Sequence, residues 1–276
     1  MPTVGERGAG LILLLFLCLA LFTFPNVGIV KAENPVYIRT DGSVEGTDKI
    51  QREGDVYTLT GDISGGIKVE KNFTVIDGAG YLLQGNGEGN GVDLSSLLPS
   101  HNLIVNVTVM NLRIVNFAKG IFSVKNNTII GNYIADCDVG IDIIGGSNNF
   151  IKNNTLTNNI NPISIAYSGA NHLITENSMI NGTFIIVWLS PDPTVDRNYW
   201  SDYNGTDADG DGIGDTPHIR IVENETIYID YHPLMEPVPV IPEFTSWTLL
   251  PLIFILTLAA VIIKKKSIHS RNKKEK

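Results

Sequence analysis

The chain has 276 residues, of which 43% are hydrophobic and 18% charged, and its net charge is −9. That length allows one sizeable ordered domain with appendages. The charge is unevenly placed: the tail from Lys264 carries +6 and residues 1–32 carry +1, so residues 33–263 carry −16. A body this acidic excludes nucleic acid as a partner and favours metal cations or plain solubility.

Leu11 to Phe24 is a charge-free, apolar run with Arg7 before it and Val30-Lys31-Ala32 after it. It predicts a secretory signal peptide over residues 1–32, with an uncleaved N-terminal anchor as the alternative. Of the two cysteines, Cys18 falls in this run, so no disulfide can form within the ordered domain. Cys137 aligns with Phe117 in the repeats described below and reads as a small buried hydrophobe.

Residues 33–102 read as strand and turn, expected to form an N-terminal cap and a first coil. Val56-Tyr-Thr-Leu-Thr60 and Ile67-Lys-Val69 alternate, and Phe73-Thr-Val-Ile-Asp77-Gly78 ends in a turn pair. Gly85-Asn-Gly-Glu-Gly-Asn-Gly91 is a loop by composition; a phosphate cradle would need a helix pattern and a P-loop lysine after it, and neither follows.

Residues 103–203 repeat. Asn132, Asn154, Asn177 and Asn198 occupy equivalent places at steps of 22, 23 and 21 residues, and Leu112 holds the same place one repeat earlier. Periods of this length mark a solenoid. Each repeat carries short β-branched runs at alternate positions, such as Ile141 and Ile143 or Ile163 and Ile165, bounded by Asn, Gly and Ser. That is strand patterning, and it predicts an all-β chain folded as a right-handed parallel β-helix of seven coils, about 35 Å long at ~4.8 Å per coil. The repeated asparagines are expected to turn the corners and to stack amide on amide along the rod.

Residues 204–235 hold Asp207-Ala-Asp209-Gly-Asp211-Gly212-Ile213-Gly-Asp215. Against a calcium loop, positions 1, 3 and 5 are Asp, position 6 is Gly, position 7 (Ile213) offers its carbonyl and position 9 is Asp. Carboxylates packed this closely repel one another unless a hard cation sits among them. Position 12, the bidentate Glu of an EF-hand, is His218 here, so the coordination is expected to be completed from Asp202, Glu223 or Asp230. A structural calcium site with Asp207, Asp209, Asp211, Ile213 and Asp215 as ligands follows, and a solvated acidic turn is its alternative.

Prolines crowd over residues 236–243, which read as a semi-rigid stalk. Residues 244–263 carry no charge and are long enough to span a bilayer, with Trp247 at one rim and the basic tail 264–276 at the other. The orientation expected is residues 33–243 outside the cell and the tail in the cytoplasm. Seven Asn-x-Ser/Thr triplets, at Asn72, Asn106, Asn126, Asn153, Asn181, Asn204 and Asn224, would then be glycosylation acceptors, several of them at coil corners.

Taken as a set, Val75-Ile-Asp-Gly-Ala-Gly-Tyr81, the coils from Asn126, Asn198-Tyr-Trp-Ser-Asp-Tyr203, Asp209-Gly-Asp-Gly-Ile-Gly-Asp-Thr-Pro217 and Tyr231-His-Pro-Leu-Met235 resemble the NosD-like, periplasmic copper-binding β-helix family in its archaeal surface form. Pro242-Glu-Phe244 before the apolar span resembles an archaeal C-terminal sorting signal, which implies exchange of the tail for a lipid anchor. The family's description implies copper, but copper carriers concentrate Met, Cys and His, and here these are scattered: Met110, Met179, Met235, Cys137, His101, His172, His218 and His232. Met179 aligns with core positions and His172 reads as a corner residue. The function expected is a non-catalytic surface module binding glycans or envelope proteins. The alternatives are a polysaccharide hydrolase or lyase, for which Asp136, Asp138 and Asp142 are the tightest carboxylate group on the coils, and copper delivery.

Overall fold

The computed structural model describes residues 35–95, 103–182, 185–222 and 225–239. The expected signal peptide, membrane span and basic tail lie outside these residues. Among the described residues no helix is long and apolar enough to cross a membrane.

Short strands in each repeat pair with their equivalents one repeat away, always in parallel and in register, and so build three sheets. Sheet A contains Val36–Ile38, Ile67–Val69, Asn90–Asp93, Lys119–Ser123, Val139–Ile144, Asn161–Ala166 and Ile186–Trp188. Sheet B runs from Val56–Leu59 and Val75–Asp77 through Thr108–Met110, Thr128–Ile130, Phe150–Lys152 and Leu173–Thr175 to Thr194–Asp196. Sheet C follows each B strand, from Ile63–Ser64 to Tyr199–Trp200. Seven parallel strands in sheet A enclose six complete turns, about 29 Å at ~4.8 Å per turn.

The solenoid begins earlier than the asparagine period suggests. Val36–Ile38 already pairs with Ile67–Val69, and Val56–Leu59 with Val75–Asp77, so residues 36–93 are coils rather than mostly cap. Capping is left to two short strands, Val44–Glu45 and Ile50–Glu53, which pair antiparallel with the first strands of sheets A and B. They turn the exposed edge away from further parallel addition.

Alternation buries the middle residue of each three-residue strand in sheet B, as in Thr128–Ile130, and the sheets aim such residues at a common axis. Ile129, Ile134, Ile141 and Ile143 of one coil are all fully buried, and Ile134 sits in register between Ile114 and Leu156. Each such aliphatic side chain removed from water contributes about 1.5–3 kcal/mol. Met179 and Cys137 belong to this core, 4% and 2% exposed. Burial pushes the Cys137 thiol up to about 11, the state of an inert packed sulfur.

The corners divide two tasks between neighbouring residues. The left-handed conformation falls to the outward residue: Asn111, Asn153, Glu176 and Arg197 at one corner (φ 53 to 59°), and Asn126, Asn148 and Asn171 at another. The residue after it points inward and carries the ladder. The amide oxygens of Asn132, Asn154 and Asn177 accept from the backbone N–H one coil back at 3.1, 3.0 and 2.9 Å, and each Nδ2 donates to the next amide oxygen at 2.9, 2.9 and 3.0 Å. Leu112 takes the rung where the ladder starts. A second inward ladder, Asn127 to Asn149, ends on His172, whose Nδ1 stands 3.4 Å from the Asn149 backbone N–H.

Candidate functional site

The C-terminal end of the rod assembles most of the chemistry-bearing side chains. No Asn follows Asn198 at the next period; the rung is filled by Asp230, delivered by the antiparallel hairpin His218–Val222 and Glu225–Asp230. Asp230 is fully buried, and its two oxygens accept from the backbone N–H groups of Arg197 (2.9 Å), Asn198 (2.9 Å) and His232 (3.2 Å), from Asn198 Nδ2 (3.2 Å) and from Trp200 Nε1 (3.0 Å). A carboxylate with this many donors needs no ion beside it. Asp230 is therefore committed to closing the ladder and is not the extra calcium ligand the sequence offered.

His218 is likewise engaged elsewhere. Its ring stacks on Trp200 (centroids 4.5 Å, planes 7° apart), Tyr228 stacks on the same indole at 5.0 Å, and His218 Nε2 lies 3.2 Å from Asp202 Oδ1. The three rings cover the open end of the core. Burial drives the Tyr228 hydroxyl well above its ordinary range.

The Asp/Gly loop leaves from this cap and is pinned to it. Gly214 N–H donates to Pro233 O at 2.8 Å and Met235 N–H to Gly212 O at 3.0 Å; these bonds bracket Ile213 and leave its carbonyl uncommitted. Asp207, at the loop's first position, accepts from Gly210 (2.8 Å), Asp211 (3.2 Å) and Gly212 (2.9 Å) backbone N–H groups. The Gly212 N–H, helped by the other two against a small desolvation, holds the Asp207 carboxyl below the ordinary carboxylate range. Asp207, Asp209 and Asp211 each offer an oxygen within 4.8 Å of the others. Asp215 stands apart, its Oδ2 accepting from Thr206 Oγ1 (3.1 Å) and Ala208 N–H (2.9 Å), so it braces the base of the loop. Three carboxylates this close suit a hard oxygen-preferring cation that keeps some of its water.

The same donor set does not suit copper. Among the described residues that acidic trio is the one group of three or more His, Cys, Asp or Glu close enough to share an ion. The buried, unpartnered ring nitrogens His172 Nε2 and His218 Nδ1 belong to no such group. Met179 is in the core, Met110 is on sheet B and Met235 is in the cap. Among the described residues, soft and imidazole donors are not brought together.

On the coils, the carboxylates borne by strands are engaged one by one. Asp93 pairs with Lys68 (2.9 Å), Asp142 with Lys119 (2.6 Å) and Asp196 with His232 (2.7 Å). Asp142 is 4% exposed, whereas Asp136 and Asp138 are exposed corner residues on either side of the inward Cys137. The structure thus separates the acidic trio that the sequence put together. Sequence reasoning missed Asp230 and the second ladder. Their signals were the missing Asn after Asn198 and the doublets Asn126-Asn127 and Asn148-Asn149, 22 residues apart.

These features define a parallel β-solenoid with laddered corners and a separately closed C-terminal end. A family model described as the periplasmic copper-binding protein (NosD) matches residues 26–205, about two thirds of the chain, and the chain belongs to that family. A periplasmic family accords with a place outside the cytoplasm. Searches of curated proteins and of solved structures return no match.

Proposed function

We propose that the chain is a non-catalytic β-helix module at the cell surface that binds glycans or envelope components, tethered by its C-terminal segment and carrying a structural calcium ion in the Asp207–Asp215 loop. The observation that carries this reading is the condition of the coil carboxylates. Hydrolysis of a glycoside needs two carboxyl groups facing one bond across a gap of about 5–10 Å, one of them free to ionise and the other to donate. Asp93, Asp142, Glu176 and Asp196 are instead each held by a cationic or imidazole partner of their own, and Asp77 accepts from Ala79 N–H and Asn111 Nδ2, which leaves Asp136 and Asp138 as the exposed carboxylates of the corner around Cys137. Strand carboxylates held in this way support recognition over turnover. Glycosylation of the module falls first to Asn106 and Asn204, both exposed. Asn126 and Asn181 already bond their neighbours along the rod, and Asn72 accepts the Val105 N–H. Asn224 is outside the described residues.

The test is incubation of the protein with a polysaccharide panel, reading retention and product together. Retention without new reducing or unsaturated ends is expected, and release of either product would make the protein an enzyme.

A further inference from the structure

Sheet A carries a groove at its N-terminal end, and the Gly85–Gly91 segment lines one side of it. Between the strands Arg113–Val115 and Lys119–Ser123 the corner takes three residues; between Leu82–Gln84 and Asn90–Asp93 it takes five, and of these Gly85, Asn86, Glu88 and Gly89 form a wall of the groove. The wall is stiff although glycine-rich. Gly85 N–H donates to Val115 O (2.9 Å), Gly87 N–H to Asn116 O (2.8 Å), and Gly89 O accepts from Lys119 N–H (3.0 Å). Only glycine fits at its foot: a Cβ on Gly85 would lie 2.2 Å from Asn116 O, and one on Gly66 would lie 2.0 Å from Asn90 O. The result is a preformed cleft of about 600 Å³, within the range of small-ligand sites.

We infer that this cleft is a binding site for a neutral, hydroxyl-rich sugar chain, an inference that rests on the glycan-binding reading above and locates it. The lining is a mixture that suits hydroxyl groups and little else. Gln84 offers its amide oxygen, its Nε2 being engaged by Gly85 O; Asn86 and Asn90 add amides, with Asn86 Oδ1 already accepting from Glu88 N–H; Glu88 adds a carboxylate from the wall, and Tyr37 supplies a ring that Arg39 covers on one face. The floor is the Lys68–Asp93 pair, with Lys68 Nζ also on Ser95 Oγ at 2.5 Å. Burial works against the Asp93 carboxylate, but Lys68 and Ser95 outweigh it and keep the acid below its ordinary range, so the floor stays a fixed pair of opposite charges. With Lys68 already answered by Asp93, Glu88 leaves the cleft net negative. That turns away phosphate, which a glycine-rich loop alone would suggest, and acidic sugars with it. No His, Cys or Met lines the cleft, so a soft metal finds no donor there.

The experiment titrates the full chain with maltohexaose, cellohexaose and mannohexaose, and in parallel with hexagalacturonate and inorganic phosphate, by calorimetry. Two variants follow: Asn86→Ala combined with Glu88→Ala, both exposed, and Tyr37→Ala. At least one neutral hexasaccharide is expected to bind, with a loss of about tenfold or more in either variant and an unchanged melting temperature for the loop double variant. Binding of a neutral sugar with equal affinity in wild type and variants would overturn the cleft and leave the glycan-binding module standing. Binding of hexagalacturonate or phosphate in preference would overturn the ligand class. No binding of any sugar would remove the glycan reading itself and the cleft with it.

Discussion

Two aspartates near the C-terminal end do the same hydrogen-bonding job in opposite surroundings. Asp230 is fully buried and gathers five N–H donors; Asp207 lies in an exposed loop and gathers three backbone N–H groups. Water can replace the carboxylate at Asp207 but not at Asp230, and a buried donor without an acceptor costs about 1–3 kcal/mol. One closes the core, whereas the other shapes a turn at the surface.

Removing the buried partner should give the largest effect. Asp230→Ala strands several donors at once and is expected to cost on the order of 4 kcal/mol or more, roughly 10 °C or more in melting temperature at about 2–4 °C per kcal/mol. Asp230→Asn keeps one acceptor oxygen for the ladder but turns its NH2 toward the Arg197 and His232 N–H groups, so it should recover only part of that loss. A melting temperature unchanged in the alanine variant would deny that Asp230 closes the rod. The second comparison sets a buried rung beside an exposed one. Asn154→Ala should destabilise by about 2–3 kcal/mol, whereas Asn148→Ala, in the outward stack with Asn126 and Asn171, should cost about 1 kcal/mol, chiefly for placing Ala at φ 58°. Equal melting shifts for the two would mean that burial does not set the worth of a rung.

At the exposed aspartates the effect is conditional. Calcium at a hundredfold excess over its dissociation constant should stabilise by about 2.7 kcal/mol, chelation should reverse it, and Asp209→Ala with Asp211→Ala should abolish the difference between the two conditions. Indifference of the melting curve to calcium and chelator would remove the structural ion. The smallest effect concerns His172, whose pKa burial lowers. Its folded pKa is below its unfolded one, so its contribution is intact above the unfolded value near 6.5 and declines as the pH falls below it. His172→Asn extends the second ladder and should remove that part of the acid sensitivity, read as melting temperature between about pH 7 and pH 5. An unchanged acid slope in this variant would place the titration elsewhere.

The middle of the rod was legible because its corners are written in asparagine. Each inward amide needs an equivalent amide one coil away, so the 21- to 23-residue spacing is a direct trace of the stacking. The first coils lack that trace: their corners use Gly65-Gly66 and Gly78 to Gly80, and the ladder position before Asn132 is Leu112, so the period fades although the strands continue. The second ladder escaped for a similar reason, since His172 stands where a third Asn would have shown the pattern. Alternation of apolar residues located the core, down to Met179 and Cys137. The calcium-loop alignment grouped Asp207, Asp209 and Asp211, whose oxygens lie within 4.8 Å of one another. It could not show that Asp215 turns to Thr206 and Ala208, or that His218 leaves the loop to stack on Trp200, because tertiary partners decide both.

After the hairpin the chain does not run on past the tip. Leu234 adds one parallel bridge beyond Tyr199, and then the path doubles back until Val238 N–H reaches Ser178 Oγ at 2.9 Å, 60 residues distant in sequence and buried on the flank of sheet C. A pull on the tail therefore reaches the rod from the side. It would first peel a short strap away from one flank, bond by bond, while the aromatic lid and the amide column behind it carry no load.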